Sequence, residues 1–141
     1  MSDNFIPSLE PETADRLIAA ATAARRDAYA PYSRFAVGAA LLTADGQVYT
    51  GCNVENASYG LGVCAERNAI FHAVADGARR FTAVAVVTEN GVTPCGACRQ
   101  VLAEFSPQMT VIVADTAGRR TVYRLDELLP HAFGPGDLAA G

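Results

Sequence analysis

A three-layer α/β/α domain with a mixed sheet of about five strands is the fold class this sequence predicts. Two observations carry that expectation. Stretches with apolar residues at helical spacing alternate with short β-branched or alternating runs, and Gly or Pro stands at most of the junctions. A length of 141 residues suits one domain with a buried core, so 1–141 is read as a single unit.

Taken in order, residues 12–29 read as a helix, with Leu17, Ile18, Ala21 and Ala24 at helical spacing up to Tyr29 and Pro31 ending it. Phe35–Thr43 and Gln47–Asn53 are apolar runs joined by Ala44-Asp45-Gly46, whose Asp-Gly pair accepts positive φ and predicts an antiparallel hairpin. Residues 54–63 carry Gly60 and Gly62 and read as a loop. A helix over Cys64–Asp76 follows, closed by Gly77. Thr82–Thr88 is β-branched and suits a strand buried on both faces. Pro94 fits the first turn of a helix over 95–105. Two more strands are expected at 110–114 and 119–123, then a short helical segment near 126–129. The tail beyond is too rich in Gly and Pro for a regular element.

Composition narrows the function. Half of the residues are hydrophobic, yet no apolar run approaches the length of a bilayer span. The start, MSDNFIPSLEPE, lacks the basic and apolar regions of a secretory signal, so a cytoplasmic location is expected, with no membrane partner. A net charge of −4 without a Lys/Arg cluster argues against a nucleic-acid partner. A reducing compartment favours metal ligation over disulfides for the four cysteines.

The chemistry sits in Cys64-Ala65-Glu66 and Pro94-Cys95-Gly96-Ala97-Cys98. Three thiolates, Cys64, Cys95 and Cys98, can hold one zinc ion and leave its fourth position open, as catalytic sites do. Glu66 is too close in sequence to Cys64 to chelate comfortably beside it and is placed to move protons. Both clusters fall at predicted helix N-termini, where the positive end of the helix favours thiolate. Zinc with three thiolates is formally −1, so a compensating cation is needed, and Arg67 is positioned to donate to the sulfurs. Plainer readings stand beside this one. Cys95–Cys98 alone resembles a redox dithiol, but that leaves Cys64 and Glu66 unused. A structural zinc would need a fourth ligand, for which Cys52 is the spare thiol, although a small buried cysteine is its commoner fate. His72 and His131 read as surface or internally satisfied histidines.

These motifs, together with Ala30-Pro31-Tyr32-Ser33, Phe35-Ala36-Val37-Gly38-Ala39-Ala40, Gly51-Cys52-Asn53-Val54-Glu55-Asn56-Ala57, Arg99-Gln100 and Leu128-Leu129-Pro130, resemble the cytidine deaminases of the small, homotetrameric, three-cysteine type. The resemblance covers most of the chain beyond an N-terminal extension, 1–11, expected to be flexible. It implies hydrolysis of cytidine and 2′-deoxycytidine to uridine and 2′-deoxyuridine with release of ammonia, in pyrimidine salvage. Water activated at one zinc per subunit would attack C4, with Glu66 carrying the protons. It further implies that Asn53 and Glu55 bind the ribose 3′-hydroxyl, that the Ala65 N–H reads the pyrimidine O2, and that the Thr93 carbonyl meets the departing ammonia. Phe35 would pack on the base, while Tyr59 and Phe133 would enter from neighbouring subunits of a homotetramer. A blasticidin-type drug deaminase and a polynucleotide deaminase are the alternatives. The first is not expected to share the Asn53–Asn56 stretch in this form, and the second usually needs basic surface for phosphates.

Overall fold

The computed structural model describes residues 9–139. Of the N-terminal extension, residues 1–8 lie outside the described residues, and Pro11 already opens the first helix. The elements are α1 (Pro11–Arg25), β1 (Gly38–Thr43), β2 (Val48–Cys52), α2 (Ala65–Ala75), β3 (Phe81–Thr88), α3 (Gly96–Phe105), β4 (Thr110–Asp115), β5 (Arg120–Arg124), α4 (Leu125–Leu128) and α5 (Pro135–Ala139).

The five strands form one mixed sheet in the order β2-β1-β3-β4-β5, parallel between β3 and β4 and antiparallel elsewhere. Helices cover both faces, as the alternation predicts. On one face Leu17 and Ala21 of α1 pack on Ala40, Leu42, Ala83, Ala85 and Ile112. On the other, Ala65, Ala69 and Ile70 of α2 and Leu102 of α3 pack on Leu41, Val84, Val86 and Val111. Alternate residues of β1, β3 and β4 thus serve opposite cores, which is why these strands read as continuous apolar runs.

Close approach of helix to sheet depends on two glycines. A Cβ on Gly38 would lie 1.9 Å from the Ala21 carbonyl oxygen of α1. One on Gly51 would lie 2.5 Å from the Ala69 nitrogen and 2.6 Å from the Ala65 carbonyl oxygen of α2. The first turn of α2 therefore rides directly on β2, at a separation only glycine permits. Asn68 fastens it there by donating from Nδ2 to the Cys52 carbonyl at 2.8 Å.

Several expectations need correction. The first helix stops at Arg25, not Tyr29, because Tyr29 pairs with the strand-like segment after β2: its N–H donates to the Asn53 carbonyl at 2.9 Å and its carbonyl accepts from Glu55 at 2.8 Å. β1 starts at Gly38 rather than Phe35, since Arg34 has φ 58° and the Asn53 side chain occupies the backbone groups of Phe35 and Val37. Pro94 precedes α3, whose N-cap is Cys95. The tail does form a short helix, α5, opened by Pro135 with Asp137 Oδ2 accepting from the Gly134 N–H at 2.8 Å. The hairpin turn holds as expected, with Gly46 at φ 93°.

Candidate functional site

The register of the sheet brings the two cysteine clusters together. Gly38 at the start of β1 pairs with Cys52 on one side and Val87 on the other, so β2 and β3 finish at the same edge. The helices that follow them, α2 and α3, begin beyond that edge. After β3 the chain is turned by the buried Thr88, whose Oγ1 accepts from the N–H groups of Gly91 (2.8 Å) and Val92 (3.2 Å).

Cys64 is the N-cap of α2, Cys95 is the N-cap of α3, and Cys98 lies in the first turn of α3. Their Sγ atoms are all within 4.8 Å of one another, with Cys64–Cys95 at 3.7 Å and Cys95–Cys98 at 3.4 Å. A tetrahedral zinc with bonds of about 2.3 Å to sulfur separates its ligands by roughly 3.8 Å, so the cluster fits that ion. Burial is graded: Cys98 is fully buried, Cys64 partly so, and Cys95 exposed, which leaves one side of the cluster open. Neither Cys52 nor a histidine joins it. Cys52 is only partly buried, and burial, with Asp27 adding, raises its pKa. His72 packs edge-on against Tyr49, with ring centroids 5.1 Å apart.

The electrostatics suit a cation. A hydrogen bond from Cys98 and contact with Arg67 lower the Cys64 thiol to about 5, while Cys98 is raised because it retains the shared proton. Three sulfurs this close cannot all ionise unless a cation compensates them. Arg67 supplies part of that charge: its Nη2 lies 3.6 Å from Cys64 Sγ. Its Nε is buried without a hydrogen-bond partner.

Glu66, in the first turn of α2, is 4% exposed. Burial pushes its carboxyl up to about 7, the Cys64 charge adding and its own backbone N–H and Arg67 opposing. Near neutral pH such a group can both take and give a proton. Ala65 beside it is buried, and as the first residue of α2 its N–H has no partner within the helix.

The remaining expected residues divide into two groups. Asn53 accepts from the Val37 N–H at 2.9 Å and donates to the Phe35 carbonyl at 2.8 Å. One N–H and one lone pair of its amide are left for a ligand. Glu55 accepts from the N–H groups of Tyr32 (3.0 Å) and Ser33 (3.1 Å) and from the Ser33 hydroxyl, which lowers its pKa. Val54 and Val63 exchange backbone hydrogen bonds at 3.0 and 2.9 Å, which sets Glu55 beside the entry to Cys64. Tyr32, Ser33, Glu55, Asn56, Tyr59 and Gly62 line a cleft of about 360 Å³, and no basic side chain is among them. Phe35 is half-buried. Tyr59 is 82% exposed and Phe133 58% exposed.

In the sequence, Arg99 and Gln100 carry part of the family resemblance without an assigned role. Arg99 ties Thr93 and Pro94 to the end of α4, and Gln100 Nε2 donates to the Phe133 carbonyl at 2.7 Å. Their position directly after the second cysteine cluster was the available signal.

Comparison with known proteins agrees with this geometry. Residues 11–114 match the family model described as "Cytidine and deoxycytidylate deaminase zinc-binding region". The chain is 52% identical over 128 residues to a cytidine deaminase of Sporosarcina psychrophila, covering 89% of this chain and 94% of that one. It is 50% identical over 120 residues to a cytidine deaminase of Mycobacterium tuberculosis, covering 84% and 87%. The crystal structure of cytidine deaminase from Burkholderia pseudomallei superposes with a TM-score of 0.82 at 55% identity, covering 84% of this chain and 98% of that one.

Proposed function

Because the chain belongs to the cytidine and deoxycytidylate deaminase family, we propose that it hydrolyses cytidine and 2′-deoxycytidine to uridine and 2′-deoxyuridine, releasing ammonia. The observation that carries this is a buried, non-ligand carboxylate, Glu66, beside three sulfurs spaced for one tetrahedral ion. The cofactor is zinc, one per chain, with Cys64, Cys95 and Cys98 as its ligands. When bound, zinc supplies a Lewis acid and lowers the pKa of water at its open position.

The chain's own residues do the rest. Glu66 takes the proton from the attacking water and delivers it to N3 of the ring as C4 is attacked. It then takes the proton of the new C4 hydroxyl and passes it to the 4-amino group, so that the C4 carbonyl forms as the C4–N bond breaks and ammonia leaves. Arg67 and the two helix N-termini offset the negative charge of the sulfurs. The Ala65 N–H holds O2 of the pyrimidine, and the Thr93 carbonyl accepts from the departing amine. No hydrogen bond to that carbonyl occurs among the described residues, so it is available. Phe35 packs on the base. Asn53 and Glu55 take the ribose 3′-hydroxyl with the capacity their backbone contacts leave free.

The cleft beside Glu55 carries no basic side chain that could pair a phosphate, which supports a nucleoside rather than a nucleotide as substrate. Loss of absorbance on deamination tests this with cytidine, 2′-deoxycytidine, CMP and a C-containing oligonucleotide. The two nucleosides should be turned over, with kcat/KM for CMP lower by about 10-fold or more, since a carboxylate close to a phosphate at a protein surface costs on the order of 1–4 kcal/mol. Efficient turnover of CMP or the oligonucleotide at physiological salt would overturn the nucleoside reading.

The same reading makes the protein a cytoplasmic enzyme of pyrimidine salvage. Among the described residues, no helix is long and apolar enough to cross a membrane. It also makes the active form a homotetramer, in which Tyr59 and Phe133 reach sites of neighbouring subunits. The exposure of Tyr59, Leu61, Phe71 and Phe133 supports a form in which copies cover them. Mixing tests the geometry. Co-refolded Glu66→Ala and Phe133→Ala chains should recover activity above either parent, because some hybrid sites combine an intact Glu66 with a neighbour's Phe133. If Phe133 serves its own subunit, every site carries a lesion and no recovery appears.

A further inference from the structure

Arg99 is an arginine with three neutral partners and no acidic one. Nε donates to the Pro94 carbonyl at 2.8 Å, Nη2 to Thr93 Oγ1 at 2.8 Å and Nη1 to the Leu128 carbonyl at 2.6 Å. No ion pair involves it among the described residues. Two of these partners belong to the dipeptide just before the ligand Cys95, and the third belongs to α4, on the far side of the guanidinium. The side chain therefore locks a loop to a helix end through the planar fork that only arginine presents.

The loop so held has one other anchor near the site, the fully buried ring of Pro94, and no other side-chain hydrogen bond beyond Val92 among the described residues. Thr88 Oγ1 holds the chain only as far as Val92, and α3 begins at Gly96. Between them Thr93 is partly buried, its hydroxyl is used by Arg99, and its carbonyl is free of hydrogen bonds among the described residues. Removing the fork takes three hydrogen bonds from this stretch and leaves the Thr93 carbonyl held only through the packing of the buried Pro94.

We infer that Arg99 is a positioning residue that aims the Thr93 carbonyl at the leaving amine by bracing Thr93–Pro94 against the end of α4. The inference rests on the deaminase reading above. It concerns the second half of the reaction, in which the C4–N bond breaks and ammonia departs with the proton delivered by Glu66. A carbonyl off its place by about 1 Å costs on the order of 100-fold in that step. Binding of the base and ribose is little affected, because neither Asn53, Glu55 nor Ala65 depends on Arg99.

The test compares leaving groups. Wild type, Arg99→Lys and Thr93→Val are assayed on cytidine and on the 4-chloropyrimidin-2-one riboside, whose chloride leaving group donates no hydrogen bond. Zinc content is measured alongside. Lysine cannot span three acceptors, so Arg99→Lys should keep one zinc per chain, hold KM for cytidine within about 3-fold, and lower kcat for cytidine by roughly 30-fold or more. On the chloro substrate its kcat should fall by less than about 5-fold, since no amine has to be held there. Thr93→Val removes one arm of the fork and should show a smaller loss with the same bias. Equal losses on both substrates, or loss of zinc in both variants, would make Arg99 a general structural residue and overturn the inference. So would unchanged kcat for cytidine. A wild-type protein that turns over neither substrate would overturn the deaminase reading itself, and the inference with it.

Discussion

Glu66→Gln is expected to keep the fold and one zinc per chain while lowering kcat for cytidine by roughly ten-thousand-fold, the upper range for loss of a general acid–base. Glutamine has the same shape and is a good helix former, so the first turn of α2 and the burial of that position, 4% exposed in the parent, are retained. What it cannot do is move the two protons of the reaction, one from water to N3 and one from the new C4 hydroxyl to the amine. KM should change much less than kcat, because the side chain acts on reacting atoms rather than on ribose. Metal content and rate, measured on one preparation, check this. Zinc lost together with activity would show that the carboxylate ligates or supports the ion.

Cys98→Ala is expected to fail differently, losing zinc and activity together, with turnover below about 1% of the parent, since two thiolates hold the ion poorly. Cys98 is the fully buried member of the cluster and sits a single turn into α3, so no other side chain among the described residues can replace its sulfur. Its loss also removes the tie between α2 and α3, and the melting temperature should drop because bound zinc stabilises only the folded state. Cys52→Ser is the matching control and should keep stoichiometric zinc, as Cys52 lies outside the cluster. Metal analysis and thermal melting of both variants decide the point. Stoichiometric zinc in Cys98→Ala would count against the three-sulfur assignment.

Local spacing was legible without coordinates wherever a single helix turn sets the geometry. Cys95 and Cys98 are three apart, which brings an N-cap and the first turn of one helix to the same side, whereas Glu66, two residues after the N-cap Cys64, sits in the first turn of α2 without joining the sulfur cluster. The alternation of helical and strand patterns likewise gave the layers, and Asp45-Gly46 gave the hairpin. Ends of elements were less legible where a tertiary partner competed. Tyr29 has a place in the helical pattern of α1, yet it leaves the helix because Asn53 and Glu55 offer its backbone two hydrogen bonds. Phe35 belongs to an apolar run, yet it stays outside β1 because the Asn53 amide takes its carbonyl.

By itself, then, the sequence pointed to the layered α/β class, to Cys95 and Cys98 as a ligand pair one helix turn apart, and to Cys64 and Glu66 as candidates on a second helix, because each of these follows from patterns a few residues long. Only the tertiary structure decided how Cys64 meets Cys95 across thirty-one positions, through a register that ends β2 and β3 on either side of Gly38. It alone revealed that Gly51 lets α2 lie against β2, and that Arg99 joins the Thr93 loop to α4. The physical reason is range. Helix turns and tight turns are fixed by neighbours in the chain, whereas a sulfur–sulfur distance, a backbone approach or a guanidinium bridge depends on where distant elements come to rest when the two cores pack.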